Sequence, residues 1–330
     1  MKEMFKDTGI VLGVCLLFAI FMMIFTPYPA TALVHSLFAN GGVAKEPAGY
    51  SEVLEKIEIK QDLTYESLIP QNKYDLIVPK TGDNFPVILW VHGGAYVGGQ
   101  KSDVSIYANM LAAQGYAVVN MEYDLAPGTR YPGPLVQMND LYKELQRVSQ
   151  AYSLDLNQLI IAGDSAGGQI ASQFINIQVN DSYSQAVNFL QEVPKETIKG
   201  AILFCSPFSL NELATTRRIS AVDYFIRNVG WAYTGKADWA KSEIAKEADL
   251  LEVVSGGFPA TFITDGNKGS FEEQAKSFVK LIESQGTDVT TAFYSPDEGE
   301  LTHEYQFDMT LPQSQQTFAA LVNFLKDLDS

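Results

Sequence analysis

Ser165 is the centre of LIIAGDSAGGQIA (residues 159–171), where an apolar run gives way to a helical pattern. In that setting Gly163-Asp164-Ser165-Ala166-Gly167 matches the tight turn that carries a nucleophilic serine between a strand and a helix. The turn demands little bulk two residues to either side of the serine, which Gly163 and Gly167 supply. It holds Oγ clear of the sheet, and the helix N-terminus beneath favours the negative charge that develops there. Attack on a carbonyl carbon is the chemistry this arrangement suits. The motif alone also fits a structural glycine turn; the strand before and the helix after favour the nucleophile.

A second glycine-rich stretch, VHGGAYVGG (91–99), again follows a strand pattern. Adjacent glycines leave backbone N–H groups unobstructed, so Gly93 and Gly94, with the N–H of Ala166, are candidate donors to an oxyanion. One such donor typically contributes about 10²–10³ in rate. A phosphate loop would use glycines similarly, but the stretch has neither a G-K-[ST] ending nor a G-x-G-x-x-G pattern. His92 is expected to shape this loop through hydrogen bonds.

The chain has three histidines. His35 lies just after the first apolar run, and His92 belongs to the glycine loop. That leaves His303, in ELTHEYQFDM, as the general base. Imidazole suits the task because its ordinary pKa lies near neutrality. Its place beyond the last strand pattern gives the chain order serine, acid, histidine. The acid then belongs in TFITDGNKGSFEEQ, at and after the strand pattern of 260–265. Asp265 ends that strand and is preferred. Glu272 and Glu273 fit first-turn helix residues that complement the helix dipole. They remain alternatives, as do Asp297, Glu298 and Glu300 before His303.

The elements that must position these residues alternate along the chain. Strand patterns fall at 63–68, 74–79, 86–91, 117–123, 158–163, 200–205, 260–265 and 290–295. Helical patterns lie near 103–114, 135–152, 166–179, 271–285 and 313–328. The central strands are apolar on both faces, which predicts an α/β fold with a mostly parallel sheet covered by helices on each side. Segment 211–250, rich in Trp, Tyr and helix formers, interrupts the alternation and is expected to form a small helical cap. Residues 33–60, with Gly41-Gly42 and Pro47 as breakers, are expected to connect to a single domain at 61–330.

With 330 residues, 46% of them hydrophobic, the chain can bury one large core. A formal net charge of −16 repels phosphate backbones and excludes nucleic acid as an expected partner. The densest basic pair, Arg217-Arg218, is expected on a solvated helix face. Cys15 and Cys205 fall in separate apolar runs, so no disulfide is expected between them. No His/Cys cluster has metal-ligand spacing, and neither a metal nor an organic cofactor is expected.

The first residues carry a different signal. Gly9–Phe25 has no charge and approaches the length of a membrane-spanning helix. Lys2 and Lys6 precede it and no Lys or Arg follows until Lys45, which predicts the N-terminus inside and the remainder outside. Residues 1–32 are therefore expected to be a signal-anchor, ended sharply by Pro27 and Pro29. The alternative is a signal peptide cleaved near Ala32, at Ala30-Thr31-Ala32, giving a secreted protein.

Taken together, HGGAY (92–96), EYDLAP (122–127), GDSAGG (163–168) and HEYQF (303–307) resemble the hormone-sensitive-lipase-like branch of bacterial α/β-hydrolase esterases. The resemblance extends from about residue 60 to the end. It implies an eight-stranded sheet, a helical cap and a Ser–acid–His triad that cleaves carboxylic esters of short acyl chains through an acyl-enzyme. Ser165 and His303 are the implied nucleophile and base, with Gly93, Gly94 and Ala166 as oxyanion donors and a small-molecule ester as substrate. The sequence departs from the family pattern twice. Ala95 replaces a third glycine but keeps its N–H. The family places its acid three residues after a glycine, and Gly269 occupies that position, so Asp265 or a neighbouring glutamate must substitute. An amidase or peptidase with the same triad, and a non-catalytic surface binding protein, are the competing expectations.

Overall fold

The computed structural model describes residues 2–38, 44–216 and 219–328, so Gly41-Gly42 and Arg217-Arg218 lie outside the described residues. The strands are β1 (Ile57–Thr64), β2 (Lys73–Pro79), β3 (Phe85–Val91), β4 (Ala117–Met121), β5 (Leu154–Asp164), β6 (Ile198–Phe204), β7 (Ala260–Thr264) and β8 (Val289–Ala292). They form one eight-stranded sheet in the order β1-β2-β4-β3-β5-β6-β7-β8. β2 is antiparallel to β1 and β4, and the other pairings are parallel.

Helices α1 (Lys2–Phe25), α2 (Tyr28–Phe38) and α3 (Tyr50–Glu55) precede the sheet. α4 (Ser105–Ala112), α5 (Gly133–Tyr152), α6 (Ser165–Val179) and α7 (Asp181–Ala186) follow among the strands. α8 (Leu210–Thr215), α9 (Ser220–Thr234), α10 (Glu243–Glu247) and α11 (Leu250–Val253) lie between β6 and β7, and α12 (Glu272–Ser284) and α13 (Pro312–Leu328) complete the chain.

Burial on both faces explains the continuous apolar runs of the central strands. Along β3, Val87, Leu89 and Val91 pack with Leu141 of α5 and Ile170 and Phe174 of α6. Ile88 and Trp90 point the other way, into a second cluster with Leu111 of α4 and Leu321 and Leu325 of α13. Each such side chain, fully buried, contributes about 1.5–3 kcal/mol.

The first strand and the domain boundary differ from expectation. β1 runs over 57–64 and not 63–68, so the sheet begins upstream of residue 61. Its Ile57 and Ile59 alternate with Glu58 and Lys60, and only Ile57 is fully buried. This is a polar edge strand, whose charges discourage pairing with another chain and dilute its hydrophobic pattern. Residues 33–60 are likewise not a bare connector. Lys45 donates its N–H to Phe307 O at 2.9 Å and pairs with Asp308 at 2.7 Å.

The described residues of segment 211–250 are largely helical. Trp239 packs with Leu210, Leu213, Ala245 and Ala248 in a small cluster of its own. α9 packs against α2, where Ala30, Thr31 and Val34 are buried, and it ends at Gly235 in the left-handed conformation usual at helix C-termini.

Among the described residues no single helix is long and apolar enough to cross a membrane. Val11–Phe25 and Tyr28–Phe38 together meet that length and apolarity, but they meet at a bend of 85°. The bend falls where Thr26 and Pro27 separate the helices. Leu12, Leu16, Leu17, Phe18, Phe21 and Ile24 of α1 are exposed.

Candidate active site

β5 ends at Asp164 and α6 begins at Ser165, which has φ of 49°. A non-glycine residue in this left-handed region is strained, and such strain persists only where the surroundings enforce it. They do so here through crowding. A methyl group on Gly167 would overlap the carbonyl oxygens of Val91 and His92, and one on Gly163 would overlap the carbonyl of Gly167. The glycines flanking Ser165 are thus fixed by backbone contact. Ser165 itself lines a cavity above the sheet.

His303 comes from the loop between β8 and α13, and its Nε2 lies 2.9 Å from Ser165 Oγ. The chain thus brings together the two residues expected to act as nucleophile and base. The acid is arranged differently. Asp265 follows β7 as expected and is buried, but it does not reach His303. Ser270 stands between them, with its Oγ 2.7 Å from His303 Nδ1 and donating to Asp265 Oδ1. Gly266 N–H at 2.7 Å and Phe271 N–H at 3.4 Å donate to the same carboxylate oxygen. The spacing of TFITDGNKGSFEEQ offers no signal for this serine, because a hydroxyl is compatible with almost any loop position.

Burial pushes Asp265 up to about 7, against the hydrogen bonds from Ser270 and Gly266. Burial also pushes His303 down to about 4. Its side chain keeps 32% of its surface exposed, and water there moderates that depression. Of the alternative carboxylates, Asp297 is exposed and the other four are occupied elsewhere. Glu272 and Glu273 pair with Lys276 at 3.1 and 3.3 Å in the first turn of α12. Glu298 accepts the Ser295 N–H at 2.8 Å, and Glu300 pairs with Lys268 at 2.5 Å.

The glycine loop is held from below. Gly93 donates its N–H to Asp164 Oδ2 at 2.8 Å, and Trp90 Nε1 donates to Oδ1 at 2.7 Å. The Gly93 N–H is therefore taken and does not serve an oxyanion, which corrects the expectation for that residue. Gly94, Ala95 and Ala166 make no N–H hydrogen bond among the described residues, and Ala95 and Ala166 line the cavity beside Ser165. Glu304 hydrogen-bonds to Asp164; burial raises both carboxyls, the Asp164 charge raises Glu304 further, and the bonds from Trp90, Glu304 and Gly93 hold Asp164 down in part.

His92 behaves as a scaffold residue. Nδ1 meets Gly93 O at 2.7 Å, Nε2 lies 3.5 Å from Glu122, and the ring stacks on Tyr123 at 4.4 Å. Burial opposes a charge on His92, yet Glu122 of the EYDLAP segment raises its pKa on balance.

The cavity has a volume of about 550 Å³ and is almost wholly apolar. Leu213, Phe225, Val229 and Trp239 form much of its wall, and Tyr96 stacks on Tyr233 at 4.1 Å along one side. Ile219, which is exposed, marks the mouth. Cys205, Asp265 and His303 are the one group among the described residues whose possible metal-ligand atoms lie within 4.8 Å of one another. Cys15 and Cys205 are both free thiols.

A strained serine between strand and helix, met by a histidine from beyond the last strand of a mostly parallel sheet, defines an α/β-hydrolase. The sequence model of the BD-FAE family matches residues 74–280, and the chain belongs to that family. Esterase LipC of Mycobacterium tuberculosis is 26% identical over 201 residues, 60% of this chain and 48% of LipC. A putative α/β-hydrolase of Acanthamoeba polyphaga mimivirus is 32% identical over 99 residues, covering 29% of each chain. The chain thus spans about half the length, or less, of these curated relatives. Esterase B of Lactobacillus rhamnosis has the same fold, with a TM-score of 0.76 at 21% identity over 92% of this chain and 96% of that one.

Proposed function

We propose that this chain is a serine carboxylesterase acting on small esters with an apolar acyl or alcohol group. The observation that carries the proposal is the 2.9 Å approach of His303 Nε2 to Ser165 Oγ beside the apolar cavity. Ser165 gives its proton to His303 Nε2 as Oγ attacks the ester carbonyl carbon. The N–H groups of Gly94, Ala95 and Ala166 take the resulting oxyanion, where preorganised donors act most strongly. His303 then passes the proton to the departing alkoxide, leaving an acyl group on Ser165. Water attacks that acyl-enzyme, gives its proton to His303 and releases the carboxylic acid as Ser165 recovers its hydrogen. Asp265 is the triad acid, acting at one remove from the base. Helices α8 to α11 serve as the cap that walls the cavity.

Labelling with a fluorophosphonate probe, paired with turnover of p-nitrophenyl acetate and butyrate, tests this reading. Wild type is expected to label and turn over, and Ser165→Ala to do neither. Equal labelling of the two proteins would overturn it.

We also propose that α1 anchors the enzyme in a membrane with its catalytic domain outside. The exposed apolar side chains of α1 support this, as does the absence of any Lys or Arg between Lys6 and Lys45. Cleavage near Ala32 is the weaker alternative, because it would divide α2, whose buried side chains belong to its packing on α9. Retention of activity in the membrane fraction after an alkaline carbonate wash, and its loss from that fraction on deletion of residues 1–25, is the expected result.

A further inference from the structure

We propose that Ser270 is the positioning residue of the base, a hydroxyl through which Asp265 sets the tautomer of His303. The proposal deepens the esterase reading and rests on it. Its basis is a chain of four side chains in sequence contact: Ser165 to His303 at 2.9 Å, His303 to Ser270 at 2.7 Å, and Ser270 to Asp265.

Counting donors decides the direction of the chain. An ionised carboxylate can only accept, and a serine hydroxyl has one proton and two lone pairs. Asp265 therefore claims the proton of Ser270. The Ser270 oxygen is left able only to accept, so His303 Nδ1 must carry the hydrogen that points at it. Nε2 is then unprotonated and faces Ser165, which is the state that can remove the Ser165 proton. Reversing the chain puts the hydrogen on Nε2 and blocks that step. Asp265 need not touch the imidazole to exert this control.

The loop is built to hold this arrangement. Gly266 N–H, Ser270 Oγ and Phe271 N–H all converge on Asp265 Oδ1, so 265–271 wraps around a single oxygen. Gly269, with φ of 65°, turns the chain so that the next residue meets His303. The Phe271 ring then stands edge-on to the imidazole, with centroids 5.4 Å apart. Among the described residues no other carboxylate takes the place: Glu304 Oε1 lies 3.8 Å from Nε2, on the side of the ring opposite Nδ1.

The test compares wild type, Ser165→Ala, Ser270→Ala, Ser270→Thr, Asp265→Asn and the double variant Ser270→Ala/Asp265→Asn. Loss of an orienting group on a triad histidine can reach about 10⁴ in kcat. Ser270→Ala is expected to lower kcat by about 10²–10⁴ with KM within about threefold, as for a group that acts only through the base. Ser270→Thr, which restores a hydroxyl, is expected to recover kcat to within about tenfold of wild type. The double variant is expected to be no slower than the slower single variant, since the two residues act in series. A low-field proton resonance from His303 Nδ1–H is expected in wild type and Ser270→Thr and absent from Ser270→Ala. Should Ser270→Ala fail to fold, Ser270→Cys keeps the volume with a weaker donor, and the same loss is expected.

The relay is wrong if Ser270→Ala keeps kcat within threefold of wild type, or if the two single losses multiply in the double variant. Equal turnover by wild type and Ser165→Ala would instead sink the esterase reading itself. The two failures are thereby separable.

Discussion

Asp164 accepts the Gly93 N–H at 2.8 Å, so the residue immediately before the nucleophile fixes the loop that faces it. The same carboxyl takes the indole N–H of Trp90 from β3 at 2.7 Å. One side chain thus ties together the three segments that meet under the site. Asp164→Ala would leave both donors buried without an acceptor, at about 1–3 kcal/mol each. A fall of several degrees in melting temperature and at least about a tenfold fall in kcat for a short p-nitrophenyl ester are expected. An unchanged melting temperature would show that the tie contributes nothing.

The pH profile is expected to follow Asp265 and not His303. Asp265 is raised to about 7 and His303 is lowered to about 4. His303 is therefore already neutral across the range where Asp265 ionises. Below about pH 7 Asp265 takes a proton on Oδ2, since Oδ1 already accepts three hydrogen bonds; the neutral carboxyl holds the Ser270 hydrogen only weakly, Ser270 is released to turn it toward Nδ1, and the base then faces Ser165 with the wrong nitrogen protonated. Activity should rise with pH through about 7 along a single ionisation, about tenfold per unit on the acid side. In Asp265→Asn that limb should vanish and leave a low, flat rate. A wild-type profile flat from pH 5 to 8 would contradict this.

Gly167→Ala is expected to be severe even though it adds one methyl group. The carbonyl oxygens of Val91 and His92 occupy the space it needs, and both belong to backbone that cannot swing aside. Destabilisation of about 3 kcal/mol or more is expected, with loss of fluorophosphonate labelling in whatever fraction folds. Chemical denaturation with a labelling assay at each step measures both.

Acyl-chain preference should respond to the wall contributed by α9. Each methylene lodged in the cavity contributes about 0.8 kcal/mol, or roughly fourfold in kcat/KM until the space is filled. Val229→Trp reduces that space without touching Ser165, His303 or Ser270. The optimum in a series of p-nitrophenyl esters from acetate to decanoate should move to shorter chains, with acetate turnover held within about threefold.

Much of this architecture can be read in the sequence, because its central features are local. The runs PVILWV and LIIAG are apolar on both faces and have one stable home, inside a covered parallel sheet. The glycines around Ser165 follow from backbone crowding that any such turn imposes. His303 could be reached by elimination among three histidines. What escaped were relationships made only in three dimensions. Gly93 looked like a free donor, yet its N–H is consumed by a side chain 71 residues away. Ser270 has no spacing or neighbour that marks it. β1 hid because an edge strand with alternating Glu58 and Lys60 is weakly hydrophobic. The packing of α2 on α9 joins segments whose patterns say nothing of each other.

Gly269 carries a last consequence. It occupies the position where related enzymes are expected to hold their acid, and a Cβ added to it would meet nothing within 4 Å. Its left-handed backbone is one that aspartate tolerates better than most residues. What stands there is therefore an absence of side chain and not an absence of room. A lineage that acquired Gly269→Asp while keeping Ser270 and Asp265 would carry two supports for one histidine, and either could then drift away unnoticed by selection.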